Sequence, residues 1–150
     1  MNSNTLNVET VLLPSSSPGT RRQLDFIHYG IAGQGPKAYL QAALHADEIP
    51  GQLVLHKLIP MLDAADARGA ITGNIVLAPI ANPIGSSQHL FGELAGRYDQ
   101  ESGGNFNRGY PDLAHQIAEE IGSQLGDDAE QNTRLIRDAA VKILSERSVP

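Results

Sequence analysis

Residues 37–48, Lys-Ala-Tyr-Leu-Gln-Ala-Ala-Leu-His-Ala-Asp-Glu, contain the pattern that decides the fold. The first eight residues are mostly apolar, which predicts a short buried strand over Lys37–Leu44. Pro50-Gly51 follows the polar turn, and proline is favoured in the first turn of a helix. The segment therefore predicts a strand that ends at Leu44, a polar turn from His45 to Glu48, and then a helix.

The flanking sequence extends this pattern into an α/β fold. Strands are predicted over residues 6–13, 23–29 and 74–80, and a helix over residues 51–66. Two helices close the chain, one from about Pro111 and one that uses Asp127-Asp128 as cap candidates. This order of elements favours a mixed, mostly parallel sheet with helices packed on it.

Composition narrows the classes of partner. The formal net charge is −6, and Arg21-Arg22 is the one adjacent basic pair, so the sequence predicts no nucleic-acid partner. The first residues, Met1 to Thr5, have no basic start, and no segment approaches the ~20 apolar residues that cross a bilayer. We therefore expect a cytoplasmic protein without a membrane partner.

The chain contains no cysteine, which excludes thiolate metal sites and a cysteine nucleophile. A metal ion would have to bind to His, Asp, Glu or water. His45 and Glu48 are suitable donors, because they follow a strand whose carboxyl end is where α/β sheets bind ligands. The alternative is a capped turn with ordinary polar residues, and the apolar strand before the pair favours the metal site.

A long segment rich in Gly and Asn, residues 81–110, holds a second set of candidates. Arg97 and Arg108 offer planar guanidinium groups that can grip a carboxylate or stabilise an oxyanion, and Asn107 can hydrogen-bond beside them. The alternative is a solvent loop whose arginines pair with Asp99 or Glu101, and spacing does not separate the two. Among the other histidines, His89 in this segment is the one further candidate for a metal ligand.

Together these segments resemble the succinylglutamate desuccinylase/aspartoacylase family, which belongs with the zinc carboxypeptidase-like hydrolases. The similarity runs from about Lys37 to Asp112. Its parts are His45-Ala-Asp-Glu48 after a strand, Ala81-Asn82-Pro83 after the next strand, Arg97-Tyr98, and Asn105-Phe-Asn107-Arg108 leading to Tyr110-Pro-Asp112.

The resemblance implies a role for each matching residue. His45 and Glu48 would bind one zinc ion, Arg97 would polarise the scissile carbonyl, and Asn107 with Arg108 would hold a substrate carboxylate. The implied chemistry is hydrolysis of an amide by a zinc-activated water with a Glu as general base. The substrate would be a small N-acyl amino acid or a similar carboxylate.

The sequence departs from the family pattern after Arg108. Family members are longer, with a third zinc ligand in an Asp-Leu-His setting and a general-base Glu later still, whereas this chain has only His115 after that point. We therefore expect residues 1–150 to be the N-terminal portion of one zinc-hydrolase catalytic domain, inactive or nearly so alone. The missing strand would begin at about Ser148-Val149-Pro150.

Two rival functions stay open. One is a carboxypeptidase-like metallopeptidase that uses the same ligands, since the sequence does not report the size of the pocket. The other is a non-catalytic α/β module in which Arg97 and Arg108 hold an anion. The sequence specifies neither the acyl group nor the oligomeric state.

Overall fold

A computed structural model describes residues 7–15 and 17–147 of the chain. The described residues form two compact units, one up to Arg108 and one from Gly109 onwards. Leu6, at the start of the strand predicted over residues 6–13, and Ser148-Val149-Pro150 lie outside the described residues.

The first unit is built on a four-stranded sheet in the order β1-β2-β4-β3. Its strands are β1 (Asn7–Leu13), β2 (Arg22–Gly30), β3 (Lys37–Gln41) and β4 (Asn74–Ala78). The pairs β1/β2 and β2/β4 are antiparallel, and β3/β4 is parallel. The α/β class is confirmed, but a mostly parallel sheet is wrong for the described strands. Only β3 and β4 are joined by a helical crossover, which parallel neighbours require.

Helix α1 (Ile49–Asp66) makes that crossover and covers one face of the sheet. Leu55 of α1 is buried against a core cluster that includes Ile27, Tyr29 and Leu77. The end of α1 is tied to the end of β2, because the Tyr29 hydroxyl donates to Asp63 at 3.0 Å. This tie lies at the amino ends of β3 and β4, because Gly30 at the end of β2 pairs with Asn74.

The two strands predicted to be buried differ in the structure. Four of the five β4 residues are buried, as predicted. In contrast, β3 ends at Gln41, and four of its five residues are exposed. The prediction of a buried strand over Lys37–Leu44 is therefore wrong for residues 37–41. The reason is position, because β3 lies at the edge of the described sheet. The buried residues come just after it, at Ala42, Ala43 and His45.

The segment predicted as a long loop contains short elements. Helix α2 (Pro83–Ser86) is capped by the Asn82 side chain, which accepts from the amide of Gly85. Strands β5 (His89–Leu90) and β6 (Glu93–Leu94) form a small hairpin. A further antiparallel bridge links Tyr98 to Asn105.

The second unit contains the two predicted helices. Helix α3 (Leu113–Ile121) begins after Asp112, and helix α4 (Ala129–Glu146) begins after Asp128, which caps it as predicted. Ile121, Ala139 and Ile143 are buried on these helices. None of the helices in the described part of the chain is long and apolar enough to span a membrane.

Candidate functional site

His45 lies just beyond the carboxyl end of β3. The amide of Ala42 donates to the Ala78 carbonyl at 3.0 Å and the amide of Ala81 to the Ala42 carbonyl at 2.8 Å, which prolongs the β3/β4 pairing. Ala43 then adopts a φ of 58°, in the left-handed region. The chain turns sharply there, and the His45 side chain is left only 6% exposed.

The turn brings His45 and Glu48 together. The imidazole Nδ1 lies 3.1 Å from Glu48 Oε1. Zinc binds His nitrogen and carboxylate oxygen at about 2.0–2.2 Å, so two donors at this separation can share one ion. The donor chemistry and the spacing therefore fit zinc, with His45 and Glu48 as the two residues that would hold it.

Arg97 lies against the same two donor atoms. Its Nη1 is 3.0 Å from His45 Nδ1 and its Nη2 is 2.7 Å from Glu48 Oε1. Its Nε is 3.4 Å from Asp47 Oδ2. Arg97 therefore pairs with residues 45–48, the strand-end turn that follows β3. The predicted alternative, in which it pairs with Asp99 or Glu101, is wrong for Arg97. The hydrogen bond from Arg97 lowers the pKa of Glu48.

Asn105 defines the state of the imidazole. Its Oδ1 accepts the backbone N–H of Asn107 at 2.8 Å, which identifies this atom as the amide oxygen. The same oxygen lies 2.8 Å from His45 Nε2, so Nε2 carries the proton and Nδ1 has a lone pair. Arg97 donates to that lone pair, which agrees with a neutral ring.

This role of Asn105 was not predicted from the sequence, where the residue was named only as the start of the motif Asn105-Phe-Asn107-Arg108. Metal-ligating histidines usually donate their second ring N–H to a carbonyl or carboxylate oxygen. The available signal was the Asn105-Phe-Asn107 spacing, because an Asn side chain commonly accepts from the amide two residues ahead.

Gly96 allows the loop to approach the strand-end turn. The amide of Ala46, a fully buried residue, donates to the Gly96 carbonyl at 2.9 Å. A Cβ at position 96 would stand 2.5 Å from the Cβ of Ala46 and 3.0 Å from the amide nitrogen of Asp47. Only glycine fits this contact, which places the next residue, Arg97, beside His45.

Arg108 and His89 make local contacts on the loop and on β5. Arg108 is exposed, and its Nη1 donates to the carbonyl of Asn107 at 2.7 Å. His89 is exposed on β5 opposite Leu94. Within residues 7–15 and 17–147, no cluster of three or more His, Asp or Glu side chains could hold a metal ion. The roles of Arg97, Asn107 and Arg108 stay predictions.

The chain matches the model of one known protein family. The family model of the succinylglutamate desuccinylase/aspartoacylase catalytic domain matches residues 34–141, a range that contains His45, Glu48, Arg97 and Asn105. The chain therefore belongs to this family, and the resemblance seen in its motifs is confirmed.

Two solved structures share the fold. One is a succinylglutamate desuccinylase/aspartoacylase family protein from Shewanella amazonensis SB2B, with 28% identity and a TM-score of 0.61 over 82% of this chain and 33% of that chain. The other, a protein of like description from Shewanella frigidimarina NCIMB 400, has 27% identity and a TM-score of 0.63 over 81% of this chain and 32% of that chain. This chain thus spans about a third of their length. None of the curated proteins compared with it matches.

Proposed function

We propose that this chain carries part of the active site of a zinc-dependent deacylase, which cleaves the amide of a small N-acyl amino acid. The observation that carries the proposal is the 3.1 Å approach of His45 Nδ1 to Glu48 Oε1 at the end of β3. Membership of the desuccinylase and aspartoacylase family supports this class of hydrolase.

His45 and Glu48 would hold one zinc ion. When bound, zinc supplies a Lewis acid for the carbonyl and lowers the pKa of a water nucleophile. His45 is oriented for this role, since Asn105 accepts a hydrogen bond from Nε2 and the Nδ1 lone pair faces Glu48. Carboxylate and neutral imidazole are both ordinary zinc donors.

Arg97 would bind the carbonyl oxygen of the substrate. A single lone pair on Nδ1 can accept from Arg97 or bind a metal ion, but not both. Metal binding therefore requires the guanidinium to leave His45, while Asp47, 3.4 Å from Nε, can keep it near the site. A guanidinium held there can donate to an oxygen that gains negative charge during hydrolysis.

Asn107 and Arg108 would hold the carboxylate of the substrate. The guanidinium of Arg108 is a planar fork that fits a carboxylate with two parallel hydrogen bonds. It is exposed and follows Asn105 by three residues, so it lies on the same loop as the group that orients His45. A small carboxylate-bearing substrate is therefore the proposed ligand of this loop.

Two parts of the proposed site would come from outside residues 1–150. The family resemblance implies a third zinc ligand and a general-base Glu, with this chain as the N-terminal portion of the catalytic domain. Two protein ligands bind zinc more weakly than three. Loss of a general base lowers the rate by about 10²–10⁴-fold, so the chain alone should show little or no hydrolysis.

The test uses a protein that contains this chain and spans the full length of the solved relatives. Hydrolysis of N-succinylglutamate and of N-acylaspartates is measured before and after zinc is removed with a chelator and restored. Activity should disappear with the metal, return with zinc, and be lost in Glu48→Gln but not in His89→Ala.

Equal hydrolysis without metal would contradict the proposal. Cleavage of C-terminal residues from peptides, with N-acyl amino acids left intact, would favour a carboxypeptidase-like enzyme. Anion binding with neither zinc nor hydrolysis would favour a non-catalytic module.

A further inference from the structure

The short hairpin formed by residues 97–106 contacts both ring nitrogens of His45. Arg97 donates to Nδ1 at 3.0 Å, and Asn105 accepts from Nε2 at 2.8 Å. These two residues lie on opposite arms of the hairpin, which are joined by the bridge between Tyr98 and Asn105 and by the bond from the amide of Phe106 to the Arg97 carbonyl at 3.2 Å. The spacing of the two contacts on the ring therefore depends on the shape of the hairpin.

Asp99 closes the hairpin through its backbone and its side chain. Its amide donates to the Gly104 carbonyl and its carbonyl accepts from the Gly103 amide, both at 2.8 Å. Its Oδ2 accepts from the backbone amide of Ser102 at 3.0 Å and from the Ser102 hydroxyl at 2.7 Å. One carboxylate oxygen thus fixes the tight turn between the two arms.

The second carboxylate oxygen anchors the hairpin to the segment before it. Gln88 Nε2 donates to Asp99 Oδ1 at 2.9 Å. Gln88 is held in turn, because its amide donates to the Gly85 carbonyl at 3.1 Å and its carbonyl accepts from the Ala95 amide at 2.9 Å. The hydrogen bonds to its carboxylate, that from the Ser102 hydroxyl most of all, lower the pKa of Asp99 to about 2. The carboxylate is therefore ionised at neutral pH.

We propose that Asp99 is a positioning residue that closes the hairpin and so holds the His45 ring with a proton on Nε2 and a lone pair on Nδ1. Asp99 does not touch the ring and acts on it through Arg97 and Asn105. Its effect on zinc affinity runs through Asn105, because Arg97 competes with a metal ion for Nδ1. The importance of this geometry for zinc rests on the proposed function, whereas the state of the ring does not.

The test measures the His45 ring by NMR in the metal-free 150-residue chain. The Nε2 proton is buried and bonded to Asn105, so it should give its own resonance in the unmodified chain. Asp99→Ala removes three hydrogen bonds from the hairpin, and we expect that resonance to vanish through exchange with water. Zinc affinity, measured separately by calorimetry, should fall about tenfold, the lower end of the effect of losing a partner that orients a ligand.

Asp99→Asn is the conservative variant and should restore most of both readouts. The new amide keeps one oxygen for Ser102. Gln88 Oε1 is buried and has no hydrogen-bond partner in the described part of the chain, so a rotated Gln88 amide can present this oxygen to the new NH₂ group. We expect zinc affinity within about threefold of the unmodified chain, because each of the three bonds keeps a donor and an acceptor.

Asp25→Ala is the matched control. Asp25 also accepts from a hydroxyl, that of Thr10 at 2.6 Å, and from a glutamine amide, that of Gln23 at 2.9 Å, but it lies on β2. This variant loses the same kinds of bond and should leave the His45 resonance and zinc affinity unchanged.

An unchanged Nε2 proton resonance in folded Asp99→Ala would overturn the proposal. If Asp99→Ala does not fold, Ser102→Ala takes its place; it should speed exchange of the Nε2 proton, and unchanged exchange would overturn the proposal. A resonance lost in Asp99→Ala, in a chain that binds no zinc even unmodified, would contradict the proposed function and leave the positioning role intact.

Discussion

The two ends of the candidate site differ in how firmly the chain holds them. At the metal end, the His45 side chain is 6% exposed and is contacted at both ring nitrogens. At the carboxylate end, Arg108 is exposed and donates to the carbonyl of its own neighbour, Asn107. The contrast indicates that the proposed zinc donor His45 is held in place by its contacts, whereas Arg108, proposed to grip the substrate, is accessible to solvent.

The largest expected effect comes from separating the loop from the metal end. Gly96→Ala places a Cβ 2.5 Å from that of Ala46, so the loop carrying Arg97 and Asn105 must move away from His45. Loss of the Asn105 contact that orients the His45 ring should weaken zinc binding about 10- to 100-fold. Overpacking should also lower the free energy of unfolding by about 1–3 kcal/mol. Zinc calorimetry and urea unfolding measure the two quantities.

Gly122→Ala is the control for that substitution, because a Cβ at position 122 meets nothing within 4 Å. It should leave zinc affinity unchanged. Equal zinc binding in Gly96→Ala and in the unmodified chain would show that the metal end does not depend on this contact.

A smaller effect, of opposite sign, is expected at Arg97. Its guanidinium competes with a metal ion for the Nδ1 lone pair, so Arg97→Gln should raise zinc affinity about three- to tenfold, the gain from removing a mostly occupied competing state. Calorimetry of zinc binding measures the change. Weaker binding in this variant would mean instead that Arg97 organises the donors for the metal.

Arg108→Gln should separate the two ends. We expect zinc affinity to stay unchanged and the affinity for succinate, followed by NMR titration, to fall about two- to fivefold, as for an exposed charge pair. Arg134→Gln, on α4, removes an exposed guanidinium paired with Glu130 and should change neither quantity. A succinate affinity unaffected by Arg108→Gln would contradict the proposal that Arg108 binds the substrate carboxylate.

The smallest effect is a pH dependence at Asp99. Its pKa is about 2 in the folded chain against 3.8 for the free group, so the ionised carboxylate adds stability above about pH 4. That contribution is lost as the pH falls from about 4 to 2. Thermal unfolding over this range should therefore depend less steeply on pH in Asp99→Asn. Identical slopes would show that the hairpin bonds of Asp99 do not contribute to stability.

The sequence predicted those parts of the fold that depend on local pattern. The strand–helix–strand order around α1 follows from apolar runs and from Pro50, and the start of α4 follows from the cap residue Asp128. Strand direction and burial depend on distant pairing instead. An apolar run such as Lys37–Leu44 looks the same in the middle of a sheet as at its edge, where β3 lies.

The candidate site divides in the same way. The approach of His45 to Glu48 follows from their spacing across a turn at a strand end. The contact of Arg97 with that turn spans about fifty residues and could not be told from pairing with Asp99. The role of Asn105 depends on a side-chain bond to the amide of Asn107, which the sequence suggests only as a common turn.

The central claim is that His45 and Glu48 bind one zinc ion. Zinc titration calorimetry of the 150-residue chain, His45→Ala, Glu48→Gln and the exposed-histidine control His89→Ala tests it directly. We predict weak binding of one ion per chain, retained in His89→Ala and lost in the other two variants. Zinc binding of equal affinity in His45→Ala and the unmodified chain would contradict the claim.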